Sequence, residues 1–239
     1  MKVLQRIARG NGVDATRFTL APMTVKGKQA AGRDGLASLL RPGLFSLTAS
    51  LACCWLASGA AYYGLTLAAG SLGPDLYTGT ALSGLVELPA ILLEYAVIES
   101  YGRRPALAGF LLVAGLACLA VCLVPALTVH LALLGKFSIA AAFKVAYIIS
   151  GEIFATSLRN SGVGLMSAVA RCGAILAPFI VMAGEERPGM QFAVFGLLAL
   201  VAGLLALRLP ETRGRRLPDT VREMAEVSGH QRHPPTLHV

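Results

Sequence analysis

The chain has 239 residues, of which 55% are hydrophobic and only 14% charged, and its mean hydropathy is +0.66. A soluble domain carries about 25% charged residues, so these values exclude an ordinary globular domain and indicate a polytopic membrane protein. The net charge of +8 does not by itself point to nucleic acid, because the basic residues must first be placed along the chain.

Residues 1 to 9 set Val3, Leu4, Ile7 and Ala8 against Lys2, Arg6 and Arg9. That spacing predicts a short basic amphipathic helix on a membrane surface, stopped by Gly10-Asn11-Gly12, and it lacks the apolar core of a secretory signal. Residues 13 to 43 are polar and glycine-containing and read as a flexible cytosolic segment ending at Arg41-Pro42. Six apolar runs follow, at about 44–69, 77–98, 105–124, 128–150, 161–183 and 190–208. Each is long enough to cross about 30 Å at about 1.5 Å per residue. Pro89 and Pro178 are expected to interrupt the second and fifth runs. Pro210-Glu211-Thr212-Arg213-Gly214 stops the last one, and residues 219 to 227 predict a short surface helix with an Asp or Thr N-cap. The domain plan is therefore a cytosolic basic segment (1–43), a six-span transmembrane domain (44–209) and a cytosolic tail (210–239).

The distribution of Lys and Arg gives the orientation. With the N-terminus inside, the inner segments hold 17 of the 21 basic residues, the outer loops hold only Arg187, and Lys136, Lys144 and Arg171 lie within spans. Both termini are cytosolic by the positive-inside rule, and the +8 charge reads as topology and contact with anionic lipid, with no nucleic-acid partner. Cys53, Cys54, Cys118, Cys122 and Cys172 all fall in apolar stretches, which argues against a disulfide framework or a zinc site. His230, His233 and His238 in the tail are too loosely spaced to argue for a metal.

A charge at bilayer depth costs at least about 2.5–3.5 kcal/mol, so each asks for a partner or a water-filled cavity. Glu87 and Glu94 in the second span, Lys136 and Lys144 in the fourth and Arg171 in the fifth are the candidates. Glu94 and Lys144 fall at similar depth, as do Glu87 and Lys136. Two readings stay open for these four residues: structural ion pairs that hold the bundle, or substrate contacts. Arg171 has small neighbours, Ala168, Ala170, Cys172, Gly173 and Ala174, and reads as cavity-lining. Tyr62-Tyr63-Gly64 offers either stacking and cation–π contact to a flat organic ion or an interfacial aromatic belt.

Several stretches carry a resemblance in order and spacing. They are Tyr62-Tyr63-Gly64-Leu65, Gly84-Leu85-Val86-Glu87-Leu88-Pro89-Ala90, Gly102-Arg103-Arg104-Pro105, Leu134-Gly135-Lys136, Gly151-Glu152-Ile153-Phe154 through Arg159-Asn160-Ser161-Gly162, Ala170-Arg171-Cys172-Gly173, Ala177-Pro178 and Leu209-Pro210-Glu211-Thr212. Together they resemble the major facilitator superfamily and, within it, the organic cation, anion and zwitterion transporters of solute carrier family 22. Arg6-Ile7-Ala8-Arg9-Gly10-Asn11-Gly12 is similar to the end of that family's large central loop, so the chain looks like helices seven to twelve. The resemblance implies an all-α membrane fold, the six-helix C-terminal half of the major facilitator bundle. It also implies a substrate site between two halves and alternating access by rocking.

The same resemblance implies site residues. Arg171 stands where anion-handling and some zwitterion-handling members carry an arginine, which favours anionic or zwitterionic organic substrates. Ile91 stands where anion carriers tend to have lysine, with Glu94 one turn further on, and Lys144 stands where the family usually has an uncharged residue. Tyr62, Tyr63, Glu94, Lys144 and Arg171 are the expected substrate contacts. Glu99, Gly102, Arg103, Arg104, Glu152 and Arg159 are the expected inner gate, where ion pairs hold one conformation.

The expected function is transport of small organic ions without a cofactor, with the lipid bilayer and an N-terminal six-helix half or a related transporter chain as partners. The expected location is the plasma membrane. A non-transporting receptor, scaffold or regulator is the alternative. Intramembrane catalysis has no His-Glu-x-x-His and no Asp pair to support it, and His130 is the only histidine near a span.

Overall fold

In lipid every backbone polar group must be satisfied within the protein, which makes long apolar runs helical. The computed structural model describes residues 36–70, 75–187 and 189–229, and every regular element among them is helical. The surface helix expected over 1–9, most of the polar segment over 13–43 and the tail from 230 lie outside the described residues.

The helices are α1 (Pro42–Ala69), α2 (Leu76–Leu85), α3 (Glu87–Tyr101), α4 (Arg103–Leu123), α5 (Thr128–Ile153), α6 (Arg159–Glu186), α7 (Met190–Ala206) and α8 (Val221–Gly229). With α2 and α3 taken as one span, the six expected spans lie within three residues of their expected bounds. Five have membrane-crossing length and apolarity, from 21 to 29 residues, and α7 is an apolar helix of 17 residues. At about 1.5 Å per residue α7 reaches about 25 Å, the short end of what spans a bilayer.

The second span breaks at Val86, between α2 and α3. Pro89 causes this, because it has no N–H for the Leu85 carbonyl and its ring crowds that group. Pro178 behaves differently from expectation: α6 runs unbroken through it. At the start of α2 the Asp75 carboxylate accepts the Thr78 N–H at 2.6 Å, and that hydrogen bond holds its carboxyl below the usual carboxylate range.

The α1 helix is central, packed against α5, α6 and α7, while α4 lies against α5 and α7. Small residues set the closest crossings. A Cβ on Gly59 would stand 2.3 Å from the Ala170 carbonyl oxygen, and one on Gly173 would stand 2.4 Å from that of Leu56. Ala170 and Gly173 therefore serve the α1–α6 contact, in the way small residues bring membrane helices together. Gly115 and Gly196 do the same for α4 and α7. Burial is uneven: 67% of the α1 span and 61% of the fourth are covered, against 22% of the second and 22% of the fifth.

The last helix docks on the bundle as well as facing outward. Thr220 Oγ1 accepts the Glu223 N–H and the Glu223 carboxylate accepts the Asp219 N–H, a reciprocal cap of the kind that starts helices. Val221 and Met224 are buried against the core, next to α1.

Candidate functional site

Two polar constellations stand out from this apolar bundle, one between α1, α3 and α5 and one at the end where α4 begins. In the first, Lys136 is 2% exposed and its ammonium lies 3.0 Å from a Glu87 carboxylate oxygen. The Nζ also donates to Thr66 Oγ1 at 2.6 Å and to the Tyr62 carbonyl at 3.3 Å. It sits 3.3 Å from the centroid of the Tyr62 ring, and the Tyr62 hydroxyl donates to Glu87 at 2.8 Å. The buried cation is thus met by a carboxylate, a hydroxyl, a carbonyl and an aromatic face, which together replace the water it has lost.

Aromatic rings extend this cluster along the antiparallel α1 and α5. Tyr62 packs near Tyr63 and Phe143, Phe143 near Tyr147 and Trp55, and Trp55 donates its indole N–H to Ser150 Oγ at 2.9 Å. Tyr63 is exposed and Tyr62 half-buried. Glu94 is buried on α3 and Lys144 half-buried on α5. Lys144 lies within electrostatic reach of Glu94 and Glu87, yet no ion pair closes between Glu94 and Lys144 among the described residues. Of the two depth-matched pairings, only Glu87 with Lys136 becomes a contact. Arg171 is exposed on α6 and donates to Ser167 Oγ at 2.8 Å, one turn back on its own helix. It points away from the face on which Ala170 and Gly173 meet α1.

The second constellation gathers at the Gly102 turn. Gly102 has φ 101°, a backbone that side chains disfavour, and a Cβ there would stand 2.8 Å from a Glu211 carboxylate oxygen. The space is needed because Glu211 accepts the backbone N–H groups of Arg103 at 3.0 Å and Arg104 at 3.1 Å, capping the N-terminus of α4. Glu152, at the end of α5, accepts Arg103 Nε at 3.2 Å and the Thr212 hydroxyl on its other oxygen. Arg104 reaches the Leu207 carbonyl and Arg213 the Ser100 carbonyl.

Of the expected gate residues, Gly102, Arg103, Arg104 and Glu152 are brought together. Glu99 is exposed and forms no ion pair among the described residues. Arg159 does not join Glu152: it donates to Thr156, which in turn contacts Asp219, and its Nε is buried with no hydrogen-bond partner among the described residues. The reason is local. Phe154 to Leu158 leave the helical path after α5, and the backbone N–H of Thr156 binds the Pro218 carbonyl, which draws Arg159 toward the tail.

Residues 43–223 match the family described as sugar (and other) transporters. The chain belongs to that transporter family. Relatives of this transporter-family chain include solute carrier family 22 member 15-like of Xenopus laevis, 39% identical over 93% of this chain and 47% of its own length. Human solute carrier family 22 member 13 is 33% identical over 99% of the chain and 44% of its own length. Solute carrier family 22 member 3 of Rattus norvegicus is 34% identical over 98% and 43%. The chain thus spans less than half the length of these curated relatives.

Sequence reasoning on this transporter-family chain missed Thr66, Trp55, Phe143 and Tyr147 in the first constellation and gave no site role to Glu211 and Thr212 in the second. A signal existed for some of them. Trp55 is the only tryptophan, Phe143 and Tyr147 are one helical turn apart around Lys144, and Glu211-Thr212 follow directly on a helix stop.

Proposed function

We propose that this chain forms one half of a carrier for small organic ions, anionic or zwitterionic in preference, working by alternating access against a second six-helix half. The single observation that carries the reading is the uneven burial of the spans. The second and fifth are left 22% buried although each is long enough to cross a bilayer, so these two spans lack cover from this chain. Arg171 is exposed on the fifth span and Glu94 is buried on the second, and Tyr62, Tyr63 and Lys144 complete the proposed substrate contacts. At the end of the bundle the Arg103–Glu152 pair, with Gly102, Arg104, Glu99 and Arg159 on the same side, is proposed as the inner latch, in a plasma-membrane protein with both termini cytosolic.

The test is uptake of a radiolabelled organic anion by cells that hold this chain together with an N-terminal half from a solute carrier family 22 relative. Uptake above that of either part alone, reduced by Arg171→Ala at unchanged surface expression, is the expected result. Uptake unaffected by Arg171→Ala removes the substrate role of that residue, and no uptake from any pairing favours a non-transporting scaffold or regulator.

A further inference from the structure

Where α4 begins, α5 ends and the chain leaves α7, a cavity of about 350 Å³ opens at the end of the bundle. Arg103, Arg215 and Arg216 line it, and Glu152 is the one carboxylate among its lining residues. Glu152 is already committed, with one oxygen on Arg103 Nε and the other on the Thr212 hydroxyl. Arg215 and Arg216 are exposed and form no ion pair among the described residues. The cavity therefore carries three guanidinium groups against one carboxylate.

The wall between the arginines has no side chain in the way. Gly214 has φ 71°, and a Cβ there would meet nothing within 4 Å, while Gly151 leaves the same open space on the α5 side. Leu217 lines the cavity and is 49% exposed, so an apolar edge adjoins the charged wall. A guanidinium offers paired N–H donors that match phosphate oxygens, and a volume in this range accommodates a small phosphate ester. A carboxylate ligand would leave one of the unpaired arginines without a counter-charge, whereas a phosphate monoester carries nearly two negative charges near neutral pH.

We propose that this cavity binds a phosphate monoester, held by Arg215 and Arg216 with Arg103 contributing from the α4 side. The chemistry is shared by two sources, the terminal phosphate of a phospholipid such as phosphatidic acid and a free organic phosphate. The site stands on the cavity and its charges and does not depend on transport.

The experiment uses the purified full chain in detergent, titrated calorimetrically with dioctanoyl phosphatidic acid, with glycerol 3-phosphate and with dioctanoyl phosphatidylcholine. Saturable binding of a phosphate monoester is expected, with no binding of phosphatidylcholine. R215Q and R216Q should each weaken it about tenfold. R208Q, which removes the same charge outside the cavity, should change it less than about threefold. E152Q should tighten it, because the only lining carboxylate is neutralised. Binding of phosphatidic acid alone assigns the site to a lipid headgroup, and equal binding of glycerol 3-phosphate assigns it to a free phosphate. Failure of both monoesters to bind, equal binding of phosphatidylcholine, or equal loss in R208Q overturns the proposal. Unchanged melting temperatures of the variants separate lost binding from lost folding.

Discussion

The Lys136 ammonium lies 3.0 Å from the Glu87 carboxylate and belongs to a side chain only 3% exposed, whereas the Glu87 side chain is 25% exposed. The asymmetry matters, since the lysine depends on its partner more than the glutamate does. Removing one member of a buried pair typically costs about 3–5 kcal/mol, because the other is left charged and desolvated. Glu87→Gln should therefore destabilise the chain by about 3 kcal/mol, and Lys136→Met by less. The double variant should be more stable than Glu87→Gln alone. Thermal unfolding of the four proteins in detergent, treated as a double-mutant cycle, measures the coupling. Additive losses would mean that Thr66, the Tyr62 carbonyl and its ring hold the lysine without help from Glu87.

Glu211 and Gly102 form a single capping device, and their substitutions should behave alike. Glu211→Ala leaves the Arg103 and Arg104 N–H groups without their acceptor, at a cost of about 1–2 kcal/mol for a lost N-cap. Gly102→Ala strains a backbone at φ 101° and pushes a methyl toward the same carboxylate, so about 1–3 kcal/mol is expected. Arg103→Ala breaks only a partly exposed pair, with side chains 20% and 24% exposed, and should cost under about 1 kcal/mol. Melting temperatures in the order Arg103→Ala above Glu211→Ala would bear out this ranking, and the reverse order would place the stability in the ion pair.

The fold was legible because length and hydropathy decide it in a membrane. Runs such as 105–124 have few alternatives to a helix. The break at Val86 was legible through Pro89, whereas Pro178 gave the same signal and α6 ignores it. Sequence position alone does not say whether neighbouring groups will satisfy a freed carbonyl. Depth matching brought Glu87 to Lys136 but equally suggested Glu94 with Lys144, which does not close. Depth fixes a residue along a helix and leaves its direction around the axis open. Arg171 shows the same limit, because its small neighbours mark a close contact that Ala170 and Gly173 make with α1 while the arginine faces out. Glu211 stood in a helix stop and in a family stretch, but its capping role was not legible, because it bonds the backbone of residues more than a hundred positions earlier and no local spacing reports that.

Asp75 supplies a dependence on pH. Its carboxylate caps α2, and the Thr78 N–H holds its pKa below the ordinary range. A depressed folded pKa gives stability that is present above the unfolded value and is lost as pH falls through the folded one. The difference in melting temperature between the native chain and Asp75→Ala should be constant near neutral pH. It should shrink on acidification below the usual carboxylate range. A difference that does not change with pH would show that the cap contributes through the shape of the turn and not through the charge.

Gly59 tests what holds the two least similar spans together, because α1 is the most covered and α6 among the least. A Cβ on Gly59 would lie 2.3 Å from the Ala170 carbonyl oxygen, a backbone atom that can yield only if the helices separate. Separation also loosens the reciprocal contact of Gly173 with Leu56, so the strain spreads along the crossing and is not absorbed at one site. Gly59→Ala should destabilise by at least about 2 kcal/mol, in the upper range for overpacking a close contact. Gly109 on α4 is the control, since a Cβ there meets nothing within 4 Å. Gly109→Ala should stabilise by about 0.5–1 kcal/mol through helix propensity alone. If both substitutions move the melting temperature upward, the crossing has slack, and α6 is held against α1 by something other than the fit of small residues.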